Sequence, residues 1–167
     1  MMKNTLSLHH TAWGYVAAAW STTGLWELTF PLSTPEVAKS SLLSLVSTEA
    51  TGKAVKLLDQ ELKAYFSGKL TTFTTVVDWN GYTPFRTSIL RYTAAIPYGE
   101  VRTYGEAAMA VGSPQAARAA GGALHNNRTP IIIPCHRVLG ANGSLVGFGG
   151  GLDMKSALLK LENDKTK

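Results

Sequence analysis

Cys135 is the only cysteine in a chain of 167 residues. It sits in the run Ile131-Ile132-Ile133-Pro134-Cys135-His136-Arg137-Val138. A lone thiol forms neither an internal disulfide nor a cysteine-rich metal site. It can act as a nucleophile, because a thiolate attacks strongly and nearby positive charge, here Arg137, favours it over the thiol. The β-branched residues ahead of it read as a buried apolar strand that ends in an abrupt turn. Adjacent residues of an extended segment face opposite ways, so a direct hydrogen bond between Cys135 and His136 is not expected. A histidine serving this cysteine must act through a turn or a bridging water. A single cysteine is also a small hydrophobe that packs cores, and the pair alone does not separate packing from catalysis.

A chain of this size is one domain or two small ones and can bury a core. Hydrophobic residues make up 45% and charged residues 16%, the balance of a globular protein rather than a disordered one. The net charge of +5 and pI of about 9.4 favour a polyanionic partner such as nucleic acid. One cysteine fits a reducing compartment. No stretch is long and apolar enough to span a bilayer. Near the start, His9, His10, Gly14 and Tyr15 interrupt the apolar run that a signal peptide needs, so a cytoplasmic protein is expected. His9 and His10 read as an exposed pair rather than zinc ligands.

The elements that must position the thiol begin with two strands, Trp13 to Ser21 and Leu25 to Leu32, joined through Thr22-Thr23-Gly24. Thr34-Pro35 opens a helix. Val55, Leu58, Leu62 and Tyr65/Phe66 mark one face of an amphipathic helix that Gly68 ends. Phe73 to Trp79 reads as a third strand. The turn residues of Asp78-Trp79-Asn80-Gly81-Tyr82 mark a boundary. Beyond it, helices are expected from Thr83-Pro84 to about Ala95, from Tyr104 to about Val111 under a Thr103 cap, and from Pro114 to Leu124 under a Ser113 cap. Helix, glycine turn, helix is the outline of a helix-turn-helix. Lys155 to Glu162 forms a last amphipathic helix.

The third of these helices is unusual. Ala117, Ala120 and Gly121 share a face, and the two interior glycines, Gly121 and Gly122, cost about 1 kcal/mol each against alanine. Either another helix packs closely there or an external backbone approaches. With little beyond Arg118 to read base edges, such a helix suits a minor groove better than a major one. Downstream, Val146-Gly147-Phe148-Gly149-Gly150-Gly151 lacks the lysine and spacing of a phosphate-binding loop. Its glycines read either as a hairpin tip or as backbone N–H groups turned to a ligand beside the Phe148 ring.

From about Phe66 to Glu162 the chain resembles the O6-alkylguanine-DNA alkyltransferases. The resemblance rests on Tyr65-Phe66-Ser67-Gly68, Ile96-Pro97-Tyr98-Gly99, Ala116-Ala117-Arg118-Ala119, Asn127 and Pro134-Cys135-His136-Arg137-Val138. It implies an α+β protein: a small ribonuclease-H-like domain over residues 1–80 and a mostly helical winged-helix domain over 81–167. The implied activity is DNA repair by irreversible, single-use transfer of an alkyl group from guanine O6, and from O4-alkylthymine, to Cys135. By position, the resemblance makes His136 the base acting through a water, Glu162 its orienting carboxylate and Asn127 the hinge that braces the turn. Tyr104 would press on the target phosphate and serve guanine N3. Arg118 would fill the gap left by the flipped base, with Ala117, Ala119 and Gly121 along the DNA. Val138, Phe148, Gly149, Leu124 and Leu145 would line the base pocket.

No cofactor, structural zinc or membrane contact is implied, and the partner would be duplex DNA bound through its minor groove by a monomer. The chain departs from the family where Phe148 replaces a common tyrosine and where Leu145-Val146 makes the pocket wall apolar. A rival reading is a lesion-binding or signalling module that transfers nothing. A helix-turn-helix transcription factor and a thiol hydrolase are weaker ones.

Overall fold

In the computed structural model, which describes residues 3–166, the first strand carries its polar residues inward. Along β1 (Asn4–Thr11), Ser7, His9 and Thr11 are buried while Leu8 is 43% exposed. Buried polar groups need partners, and these have them. Trp20 Nε1 donates to Ser7 Oγ at 2.8 Å, Ser7 Oγ lies 2.7 Å from His9 Nε2, and His9 Nδ1 lies 3.0 Å from Asp59 Oδ1. The Asp59 carboxylate can only accept, so it takes the Nδ1 proton; the neutral ring then accepts the Ser7 proton at Nε2 while Ser7 Oγ accepts from the indole. Serine, histidine and aspartate stand in the order of a catalytic relay. Ser7 is only 4% exposed, however, and its oxygen is already committed on both sides, so the network ties the fold together. His9 is therefore buried, contrary to the expected exposed pair, and only His10 faces solvent.

The chain divides after Trp79 into two compact units. In the first, β2 (Gly14–Trp20) and β3 (Leu25–Leu28) form the expected antiparallel hairpin, and β1 joins β2 antiparallel. β4 (Val46–Glu49) runs parallel to β1, giving the order β3-β2-β1-β4. Three antiparallel strands followed by a parallel fourth suit the ribonuclease-H-like expectation. α1 (Pro35–Ser40) starts with Thr34 accepting from Val37 N and Pro35 at its first turn. α2 (Lys53–Phe66) packs on β1 with Leu58, Leu62, Tyr65 and Phe66 buried.

Two strand expectations fail in this unit. The second hairpin strand stops at Leu28, and Leu32 makes only an isolated bridge to Tyr15. Residues 73–79 form no strand, and Val77 alone bridges Leu25. The carboxylate of buried Glu61 takes the backbone N–H and hydroxyl of both Thr74 and Thr75 at 2.5–3.1 Å. A long-range carboxylate thus captures the donors a sheet would have used.

In the second unit, α3 (Pro84–Ala94) is capped by Thr83 and packs against α4 (Tyr104–Ala110) and α5 (Ala117–His125). Thr103 and Glu106 make a reciprocal capping box at the start of α4. α5 starts three residues later than Pro114, with Ala116 as N-cap. Ser113 is no cap, and its carbonyl closes a turn onto Ala116 N at 2.9 Å. β5 (Arg102–Thr103) and β6 (Val138–Leu139) pair in parallel beside the helices. α6 (Leu152–Thr166) starts one turn before Lys155. No described helix is long and apolar enough to cross a membrane.

Candidate active site

Ile131-Ile132-Ile133 is a turn rather than the expected strand. Ile131 has φ of 75°, a left-handed conformation that a β-branched residue adopts only where the surroundings enforce it. Ile133 N returns to Thr129 O at 3.0 Å, Cys135 N donates to Ile133 O at 2.8 Å, and Arg137 N donates to Pro134 O at 2.9 Å. Cys135–Arg137 then form one 3-10 turn. Successive side chains in such a turn diverge by about 120°, so Cys135 and His136 leave the backbone in different directions, as the adjacency argument requires.

The turn is tightly enclosed. Cys135 is 7% exposed and His136 fully buried. Burial pushes the Cys135 thiol up to about 11, against an Asn127 side-chain hydrogen bond, the Lys155 charge and local backbone N–H groups, all of which favour the thiolate. Asn127 also donates from Nδ2 to Ile133 O at 2.9 Å and accepts from Thr129 N at 3.1 Å.

His136 Nε2 lies 2.7 Å from Glu162 Oε1. Arg137 straddles the same carboxylate, donating from Nε to Oε2 and from Nη2 to Oε1, both at 2.9 Å, while Nη1 donates to Ile96 O at 2.6 Å. Burial would raise the Glu162 carboxyl, but His136 and Arg137 together hold it down at about 2. Burial lowers His136, opposed by Glu162. An ionised carboxylate already neutralised by a bidentate arginine leaves the imidazole neutral, with its proton on Nε2 and its lone pair on Nδ1. Arg137 is therefore not a charge beside the thiol. It is the counterion of the carboxylate that orients the histidine.

Lys155 escapes sequence reasoning altogether. It is fully buried, and Nζ donates to Val138 O at 2.7 Å and lies 3.4 Å from Val146 O and 3.5 Å from Tyr104 Oη. Its ammonium stands 5.7 Å from the Tyr104 ring centre and 5.6 Å from that of Phe148. Burial lowers its pKa, and the Cys135 charge opposes this. Tyr104 donates to Val146 O at 3.1 Å. Burial and the Cys135 charge both raise the Tyr104 phenol.

The remaining expected pocket residues separate by depth. Leu124 and Val138 are buried, Leu145 and Phe148 half-buried, and Gly149 exposed. On α5, Arg118 and Ala119 are exposed, Ala117 half-buried and Ala120 buried. A Cβ at Gly121 would meet the Tyr104 ring at an ordinary 3.9 Å, and one at Gly122 would meet nothing within 4 Å. Packing within the chain does not explain these glycines.

Residues 84–164 match the family model of the 6-O-methylguanine DNA methyltransferase DNA-binding domain. Among curated proteins, the methylated-DNA–protein-cysteine methyltransferase of Methanosarcina mazei is 51% identical over 112 residues, 66% of this chain and 69% of that one. The Mycobacterium tuberculosis protein of the same name is 50% identical over 105 residues, and the match spans 63% of each chain. Across nearly the whole fold, the solved Mycobacterium tuberculosis OGT in complex with DNA superposes with a TM-score of 0.81 at 36% identity, covering 98% of this chain and 94% of that one. The Pyrococcus kodakaraensis O6-methylguanine-DNA methyltransferase shares the fold, with a TM-score of 0.68 at 22% identity. With its one cysteine in the Pro-Cys-His-Arg-Val turn, this chain belongs to the O6-methylguanine-DNA methyltransferase family.

Proposed function

We propose that this protein repairs O6-alkylguanine in duplex DNA by taking the alkyl group onto Cys135, once per molecule. The observation that carries the reading is the buried Glu162 carboxylate, held by Arg137 and hydrogen-bonded to His136, one residue from the chain's only thiol. In the proposed step, His136 Nδ1 takes the thiol proton through a water. The Sγ–carbon bond forms as the carbon–O6 bond breaks, and the electron pair passes into the guanine. The Tyr104 hydroxyl supplies a proton at N3, so guanine leaves neutral. Lys155 sits where it favours the thiolate electrostatically. The product is a thioether, whose sulfur–carbon bond offers no good leaving group, so the alkyl group stays and each molecule acts once.

The minor groove is the proposed site of contact. Open space over Gly122 and tolerant space over Gly121 support close approach of a DNA backbone to α5. Exposed Arg118, which makes no hydrogen bond or ion pair among the described residues, is available to fill the place of the flipped base, an event that costs a few kcal/mol. Ala117 and Ala119 would lie along the backbone. Val138, Phe148, Gly149, Leu124 and Leu145 would enclose the base, and Asn127 would brace the turn. The first unit would act as scaffold for the second. The protein would work as a monomer in a reducing compartment such as the cytoplasm, on O6-alkylguanine and O4-alkylthymine.

The test is intact-mass measurement after incubation with an equimolar duplex oligonucleotide carrying O6-methylguanine. One methyl group on Cys135 is expected. Tight binding with the lesion left intact would establish the lesion-binding module instead.

A further inference from the structure

We propose that Tyr82 and Arg128 are positioning residues for Cys135: they clamp one end of the segment whose other end holds the nucleophile's backbone. This rests on Cys135 being the alkyl acceptor. Arg128 meets Tyr82 in two independent ways. Its guanidinium lies over the phenol ring, 4.0 Å from the centre, and its backbone N–H donates to the Tyr82 hydroxyl at 2.9 Å. Its Nη2 also donates to Asn80 O at 2.7 Å. Stacking and a planar donor fork are properties of arginine that lysine does not reproduce.

The next residue back completes the chain of contacts. Asn127 N closes α5 onto Leu124 O at 3.1 Å, and its Nδ2 donates to Ile133 O at 2.9 Å. That carbonyl also receives Cys135 N at 2.8 Å. A carbonyl oxygen has two lone pairs, and here they take Asn127 and Cys135. The place of the nucleophile is thereby referred to Asn127, and the backbone beside Asn127 is referred to Tyr82. The Arg128 N–H has no acceptor if the phenol oxygen is lost, and an orphaned backbone donor makes the segment move. Displacement of a reacting group by about 1 Å can slow a reaction about a hundredfold.

Tyr82 is also within electrostatic reach of the thiol. Burial raises its pKa, the Arg128 N–H opposes this, and the Cys135 charge adds to it. The other groups that face Cys135 are Lys155 from α6, Tyr104 from α4 and Asn127 after α5, with the backbone N–H of His136 in its own turn.

Tyr82→Phe keeps the ring and removes the acceptor, and Arg128→Met removes the guanidinium. Benzyl transfer from free O6-benzylguanine to Cys135 is followed by intact mass across probe concentrations. The pH profile of Cys135 alkylation by iodoacetamide is recorded alongside. With Tyr82→Phe, the maximum rate should fall about tenfold, while the half-saturating concentration moves less than about twofold. The iodoacetamide profile should shift to higher pH as the Asn127 hydrogen bond to the thiol loosens, and Arg128→Met should do at least as much. Native maximum rate and native pH profile in folded Tyr82→Phe would overturn the proposal, whether or not Arg128→Met folds. If the unaltered protein accepts neither benzyl from free O6-benzylguanine nor methyl from the O6-methylguanine duplex, the repair reading fails; in either case the iodoacetamide profiles still decide the clamp.

Discussion

Replacing Glu162 by glutamine tests the central electrostatic reading. The glutamine keeps the size of the side chain and can still contact His136, but it leaves Arg137 buried without its anion. The Glu162 carboxyl falls from 4.5 to about 2 on folding, and at about 1.4 kcal/mol per pKa unit this is roughly 3 kcal/mol. Breaking a buried pair by removing one partner typically costs about 3–5 kcal/mol, the same range. The pH dependence follows from the sign. A carboxyl depressed in the folded state gives stability that is present above about 4.5 and is lost as pH falls toward about 2. The gap between the two proteins should therefore be about 3 kcal/mol at pH 7 and narrow through that window. All four tryptophans lie at or before Trp79, in the first unit, so the second unit is followed through its helices. Urea unfolding followed by far-UV circular dichroism, which reads the helices after Pro84, is the assay. A gap below about 1 kcal/mol at pH 7, or one that does not narrow in acid, would refute the reasoning.

Three further outcomes are expected. Lys155→Met should slow benzyl transfer about tenfold by removing a cation that favours the thiolate, while the unfolding midpoint holds or rises because a buried charge has been removed; an unchanged rate would contradict the role given to Lys155. Arg118→Ala should weaken repair of duplex DNA more than reaction with free O6-benzylguanine, since only the duplex has a vacated base position to fill; equal losses on both substrates would count against it. In the first unit, burial depresses His9, so stability is present above about 6.5 and is lost as pH falls below it. His9→Gln should flatten that loss in urea unfolding followed by tryptophan fluorescence.

The parts legible in the sequence are those governed by local chemistry. Thr34 and Thr103 cap their helices as expected, and the helix expected from Thr83-Pro84 starts there, because a helix start needs only its own next few residues. The period of α2 likewise identifies its buried face. What was missed depends on distant partners. Asn4 to Thr11 alternates as a strand should, but Leu8 faces outward while Ser7, His9 and Thr11 are buried, with Asp59 and Trp20 partnering His9 and Ser7. Residues 73–79 have strand composition, yet Glu61 takes their donors. Arg137 looked like activation for its neighbour because sequence shows adjacency; its true partner is 25 residues away. Lys155 gave no local sign that its ammonium would be buried among carbonyls and rings.

The depth at which Cys135 is held has a consequence for the protein's idle life. On the proposed single use, a molecule spends nearly all its existence waiting, and any stray oxidant or electrophile that reaches the sulfur first ends its usefulness. With the thiol pushed up to about 11, about one molecule in ten thousand carries the reactive anion at pH 7. Enclosure thus works as a safety catch, keeping the sulfur unspent until a fitting substrate arrives.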